Sequence, residues 1–218
     1  MIKAVIFDLD GTLVNAYPAV ADSVNNALNA LGLKNRSPDE IKRSVGGGDR
    51  KLLACFVGEK RADEALRIYR PHHAKALLAF GGVKLEPGAL TLLTFLKKKG
   101  FKLAIASNRP SRFTRIILQK LGIKLFFDRV RCADQVKRPK PYPDLLWDIA
   151  RKFRLKESEL LYVGDMTIDI ACAHKAGVRM VAVATGSSSK KELNRLKPWR
   201  IISRIDKLKA IIKEEYHE

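Results

Sequence analysis

Three cysteines in 218 residues are too few and too widely spaced for a disulfide framework. Cys55, Cys132 and Cys172 form no C-x-x-C pair that could hold zinc or cycle between redox states. Long apolar runs are missing as well: no stretch approaches the ~18–20 residues needed to cross a bilayer. Met1-Ile2-Lys3 leads directly into a strand-like segment and lacks the charged, apolar and small-residue parts of a signal peptide. Zinc-finger spacing, an RRM-like aromatic motif and a helix-turn-helix signature are absent, so no nucleic-acid module is indicated. These absences predict a cytoplasmic protein with reduced thiols and no membrane partner; a monomer or a homodimer is expected.

Acid is the scarce charge. Against 42 Lys+Arg stand 23 Asp+Glu, a formal charge of +19. Between Lys97 and Arg154 lie 17 basic and 4 acidic residues, so that one stretch carries 13 of the 19 excess charges. A basic surface attracts nucleic acid, phosphorylated metabolites and anionic lipid alike, so it selects none of them. A solvated, lysine-rich face accounts for the count without a specific partner.

What is present is a rhythm. Ala4-Val5-Ile6-Phe7, Leu103-Ala104-Ile105-Ala106, Leu160-Leu161-Tyr162-Val163 and Met180-Val181-Ala182-Val183 read as buried strands, with a weaker one at Arg129-Val130-Arg131-Cys132. Helical patterns lie between them: Leu92, Leu93 and Leu96 before Gly100; Ile117, Leu118 and Leu121 before Gly122; Leu145, Leu146, Ile149 and Phe153; and Ala171 to Ala176 before Gly177. Strand, helix, glycine, strand predicts an α/β fold, a doubly wound parallel sheet with helices on both faces. Residues that follow each strand then gather at the carboxyl edge of the sheet, where ligands bind.

From about Ala16 to Phe80 the pattern is helical only. Val20, Val24, Leu28 and Leu31 share a face and stop at Gly32, and Ser37-Pro38-Asp39-Glu40 reads as a capping box with proline at the first helical position. The predicted organisation is therefore a core of residues 1–15 and 83–218 with a small α-helical cap domain, 16–82, inserted after the first strand. Ser187 to Lys190 reads as a loop and Ile205 to Glu215 as a closing helix.

Four polar clusters follow strands. Asp8 and Asp10 precede Gly11-Thr12; Ser107 and Asn108 offer a hydroxyl and an amide near a helix start; Lys140 sits among the prolines of Arg138-Pro139-Lys140-Pro141; Asp165 and Asp169 follow Gly164. Each alone has a plain structural reading, as a turn or a helix cap. At one sheet edge they make four carboxylates, a hydroxyl and a lysine, and hard oxygen donors of this kind suit Mg²⁺.

In this order and spacing the clusters resemble the haloacid dehalogenase superfamily, whose motifs read DxDGT, then Ser or Thr, then a Lys before proline, then GDxxxD. The inserted helices resemble the cap of its phosphoglycolate phosphatase and β-phosphoglucomutase subgroup. Val45-Gly46-Gly47-Gly48-Asp49-Arg50-Lys51-Leu52-Leu53 is similar to the glycine-rich cap segment of phosphoglycolate phosphatase-like members, and Ser107-Asn108-Arg109-Pro110 to their T-N-K-P. Asn15-Ala16 and Glu86 depart from the common pattern, and these departures bear on the substrate.

The resemblance implies a Mg²⁺-dependent phosphatase acting on a small phosphorylated metabolite. Asp8 would be the nucleophile and Asp10 the acid/base. Ser107, Asn108 and Lys140 would hold the transferring phosphate. The metal would be held by Asp8, Asp165 and the carbonyl of Asp10, with Asp169 orienting the ligands, and Arg50 of the cap would contact the substrate. A phosphomutase is the near alternative, and a nucleic-acid or partner-binding protein on an inactive scaffold the distant one. His72-His73, the three cysteines, Trp147 and Trp199 are read as packing or surface residues.

Overall fold

Each buried apolar run becomes a strand, and each ends where polar residues begin. The computed structural model describes residues 1–79 and 81–215. In chain order its elements are β1 (Ala4–Phe7), β2 (Val14–Asn15), α1 (Tyr17–Ala30), α2 (Pro38–Ser44), α3 (Asp49–Val57), α4 (Ala62–Leu78), β3 (Lys84–Leu85), α5 (Ala89–Lys98) and β4 (Lys102–Ser107). There follow α6 (Ser111–Lys120), β5 (Arg129–Cys132), α7 (Asp144–Phe153), β6 (Leu160–Gly164), α8 (Thr167–Ala176), β7 (Arg179–Val183), α9 (Lys190–Arg195), β8 (Arg200–Ile202) and α10 (Leu208–Glu215).

Six strands pair in the order β5-β4-β1-β6-β7-β8, all parallel. The period of two sorts their side chains between two cores. Val5, Phe7, Leu103, Ile105, Leu161 and Val163 face a cluster with Leu92 and Leu96 of α5, Phe113 and Ile117 of α6, and Leu208 and Ile212 of α10. Ala4, Ile6, Ala104, Leu160 and Tyr162 face the other, with Leu145 and Ile149 of α7 and Ile170 and Ala173 of α8. The sheet is thus covered on both faces, the doubly wound α/β arrangement that the sequence rhythm implies.

Register fixes the edge. Phe7 lies opposite Ile105 on one side and Val163 on the other, so Asp8, Ser107 and Asp165 leave three adjacent strands at nearly the same level. Sequence reading found five of the six sheet strands and missed β8, a three-residue edge strand with only Ile202 buried. Nor did it find β2 and β3, which form a two-stranded antiparallel ribbon with Val14 opposite Leu85. Ser189 turns out to cap α9 through a capping box rather than to lie in an open loop.

Helices α1 to α4 run between the two strands of that ribbon. Val20, Val24 and Leu28 of α1 pack with Leu52 and Leu53 of α3 and Leu66 and Tyr69 of α4 in a third cluster. Ser37 accepts from Glu40 N and Glu40 returns the bond to Ser37 N at 2.9 Å, closing the expected capping box. Among the described residues no helix is long and apolar enough to cross a membrane.

Candidate active site

Asp8 follows β1, and its backbone N–H still bonds Val163 O at 2.8 Å, so the strand ladder holds its position. Its Oδ1 accepts from Lys140 Nζ at 2.6 Å. The same ammonium donates to Asp169 Oδ1 at 2.7 Å and to Tyr162 Oη at 3.0 Å, and Tyr162 donates onward to Asp169 Oδ1 at 2.8 Å. Lys140 is buried, and burial alone would lower its proton affinity. Asp169 and Asp8 outweigh that effect and raise it, so the lysine stays a cation.

The lysine is placed by Asn108. Asn108 Oδ1 accepts from Lys140 N at 2.9 Å, while Nδ2 donates to Lys140 O and to Gly46 O, both at 2.9 Å. That commits the whole side-chain amide. The Asn108 amide ties the Lys140 loop to the glycine-rich segment.

Asp165 accepts from Thr12 Oγ1 at 3.0 Å and from Ser187 N at 3.1 Å. Asp169 occupies the first turn of α8, where its Oδ2 accepts from Met166 N at 3.0 Å. One carboxylate oxygen from each of Asp8, Asp165 and Asp169 lies within 4.8 Å of the others. Burial, followed by the charges of Asp8 and Asp169, pushes the Asp165 carboxyl far up. Burial also raises Asp8, with Lys140 opposing and Asp169 adding to the rise.

Of the three buried carboxylates only Asp8 and Asp169 bond the lysine, which leaves negative charge for a further cation to neutralise. The donors are all hard oxygens, and Tyr17 Oη is a buried hydroxyl without a hydrogen-bond partner among the described residues. A Cβ at Gly11 would meet Tyr17 Oη at 2.5 Å and Asp165 Oδ2 at 2.6 Å, so glycine is needed there for closeness as well as for its φ of +78°. The cluster fits a small divalent cation of the Mg²⁺ kind. The Asp10 side chain is not one of the three.

Asp10 instead meets an arginine that sequence reasoning quoted in a motif but gave no role. Arg109 donates from Nε to Asp10 Oδ2 at 2.7 Å and from Nη2 to Oδ1 at 3.0 Å, a two-pronged pair. Its Nη1 reaches His73 Nε2 at 2.6 Å. His73 is fully buried, stacked on Tyr69 and set edge-on to Phe113, with Ser23 Oγ 2.9 Å from its Nδ1. A packing or surface role was expected for His73; its bond to the site arginine was not foreseen.

A small cavity of about 50 Å³ opens over these groups, lined by Asp8, Asp10, Ser107, Asn108, Arg109 and Lys140 from the sheet edge. Val45, Gly46, Gly48, Asp49 and Leu52 line it from the α2–α3 segment, with Tyr69 of α4. Ser107 is buried, and its Oγ accepts from Arg109 N at 3.2 Å. Arg50 is not among the lining residues. Its exposed guanidinium bonds Asp63 at 3.0 Å and Glu59 at 2.6 Å. The neighbouring Asp49 is on the cavity wall.

Comparison with known proteins gives the family. Residues 5–183 match the family model described as haloacid dehalogenase-like hydrolase. A phosphoglycolate phosphatase of Rhodospirillum rubrum is 35% identical over 199 residues, covering 86% of this chain and 82% of that protein. One from Aquifex aeolicus is 30% identical over 184 residues, covering 84% and 85%. A crystal structure from Haemophilus somnus, described as a predicted phosphoglycolate phosphatase, superposes with a TM-score of 0.90 at 27% identity, covering 97% and 98% of the two chains. On motif, fold and likeness together, the chain belongs to the haloacid dehalogenase-like hydrolase family.

Proposed function

We propose that this enzyme is a Mg²⁺-dependent phosphatase that hydrolyses a small phosphomonoester in two steps through an aspartyl-phosphate. The observation that carries the reading is Asp8, buried at the sheet edge, held by Lys140 and facing a cavity across which Asp10 stands.

In the first step an oxygen of Asp8 attacks phosphorus, the bond from phosphorus to the ester oxygen breaks, and Asp10 gives its proton to the departing alkoxide. In the second, Asp10 takes a proton from water as the water oxygen attacks phosphorus, which frees inorganic phosphate and restores Asp8. Lys140 fixes Asp8 and offsets charge on the transferring group, and Ser107 is placed to donate to it. Arg109 orients the Asp10 side chain through its two hydrogen bonds. Asp8, Asp165 and Asp169, with the carbonyl of Asp10, would hold a Mg²⁺, which would supply charge neutralisation for the phosphoryl transfer. Residues 16–82 act as a cap, with Val45 to Leu52 closing over the edge and excluding bulk water.

The relatives' name makes phosphoglycolate one candidate substrate, and short sugar phosphates are another. The test is release of inorganic phosphate from a panel of phosphomonoesters with Mg²⁺ present. Asp8→Asn is expected to lose about 10³-fold or more of kcat while keeping its circular dichroism spectrum. Turnover retained by that variant sinks the nucleophile assignment.

A further inference from the structure

We propose that the ester taken by this site carries a hydrogen-bond donor, a hydroxyl or an amine, on its alcohol portion, and that Asp49 receives it. The inference rests on the phosphatase reading above and narrows its substrate to short phosphorylated polyols or amino alcohols.

Asp49 begins α3 and lines the cavity shared by Asp8 and Lys140. Its Oδ2 is buried and has no hydrogen-bond partner among the described residues, and its side chain does not cap the helix. Buried polar atoms are nearly always paired, so an orphan on the wall of a ligand cavity marks a place for a ligand group. Burial raises the Asp49 carboxyl, and the charges of Arg109, Arg70 and Arg112 oppose that rise; the orphaned oxygen of a carboxylate is an acceptor, so the group that satisfies it is a donor.

The same wall disfavours a substrate carboxylate. The two cations that line the cavity are already engaged, Arg109 with Asp10 and Lys140 with Asp8 and Asp169. Arg50 is held outside by Glu59 and Asp63. A carboxylate on the ligand would meet the Asp49 charge with no free cation among the lining residues. Val20, Leu52 and Ile168 give the carbon skeleton an apolar bed, and the small volume keeps that skeleton short.

The experiment measures kcat/KM of the full chain with Mg²⁺ for glycerol phosphate, phosphoethanolamine, ethyl phosphate and phosphoglycolate. Wild type, Asp49→Leu and Asp49→Asn are compared. Ratios between substrates on one preparation do not depend on how much of a variant is folded. Wild type is expected to favour a donor-bearing ester over ethyl phosphate by about tenfold to hundredfold. Asp49→Leu should erase most of that ratio, chiefly through KM. Asp49→Asn, which turns an acceptor into an amide with donors, should move the preference toward phosphoglycolate. A wild-type preference for phosphoglycolate, or ratios unchanged in both variants, overturns the inference and leaves the phosphatase reading standing. No turnover of any phosphomonoester overturns both.

Discussion

His73 should make the protein acid-labile in a way that one substitution removes. Arginine has donors only, so the 2.6 Å bond from Arg109 Nη1 requires His73 Nε2 to be an unprotonated acceptor. Ser23 Oγ donates its own hydrogen to Ala19 O at 2.6 Å, which leaves Nδ1–H to donate to Ser23. The tautomer is therefore fixed, and a second ring proton would set imidazolium against guanidinium. Burial first, then Arg109, pushes the His73 pKa from 6.5 down to about 2. The sign follows from the proton count. Below pH 6.5 the unfolded chain takes up a proton that the folded chain refuses, so stability falls as pH falls. From pH 7.5 to 4.5 the loss is ~2.7 kcal/mol, at about 1.36 kcal/mol per unit below 6.5. With an unfolding entropy of about 2.1 cal/mol/K per residue, a chain of this length loses about 6 °C in Tm. The assay is scanning calorimetry of wild type and His73→Gln between pH 7.5 and 4.5. The glutamine offers Arg109 an uncharged acceptor but loses the ring contacts with Tyr69 and Phe113, so its Tm is lower at neutral pH. Its pH profile should be flatter than that of wild type by those ~6 °C, carboxylate contributions cancelling in the comparison. Parallel profiles would refute the argument.

Two further outcomes follow from the carboxylate cluster. Mg²⁺ at about 100 times its Kd should raise the wild-type Tm by about 6 °C, the equivalent of ~2.7 kcal/mol. Asp165→Asn should abolish that shift and, by removing one of three mutually repelling carboxylates, raise the Tm of the metal-free protein; a wild type indifferent to Mg²⁺ counts against the cluster as the cation site. Gly186→Ala places a Cβ 1.5 Å from Asp165 Oδ2, so Asp165 must be displaced, and both the Mg²⁺ shift and at least tenfold of kcat should go with it. Unchanged Mg²⁺ affinity in that variant would show that the loop does not seat Asp165.

The sheet edge was legible in the sequence because its residues are placed by local rules. Asp8, Ser107 and Asp165 each follow a buried apolar run, and parallel pairing brings the ends of such runs to one level. The partners of those residues were not legible, because no local rule places them. Arg109 meets His73, 36 residues away, only because α4 packs on α6, and Asn108 reaches Lys140 across 32 residues of intervening chain. Tyr162 reads as one more apolar strand residue, although its hydroxyl is what completes the Lys140–Asp169 contact. Arg50 and Asp49 are adjacent in a flexible-looking segment, and only the turn of α3 decides which of them meets the cavity.

Charge shows the same separation between what a sequence counts and what a fold does. The chain as a whole is basic by 19, yet its centre is acidic. Asp8, Asp10, Asp49, Asp165 and Asp169 converge on the cavity or its floor, and among the described residues Arg109 and Lys140 are the only cations lining it. The remaining basic residues between Lys97 and Arg154 do not line it. Their long-range field draws phosphorylated ligands toward the protein, as any basic surface would. At contact distance the sign reverses, and a phosphate dianion could not settle beside Asp8 on Lys140 alone. If the cluster holds a divalent cation as proposed, the acidic centre would make phosphate binding depend on it, whereas the basic exterior would contribute to encounter and not to selection.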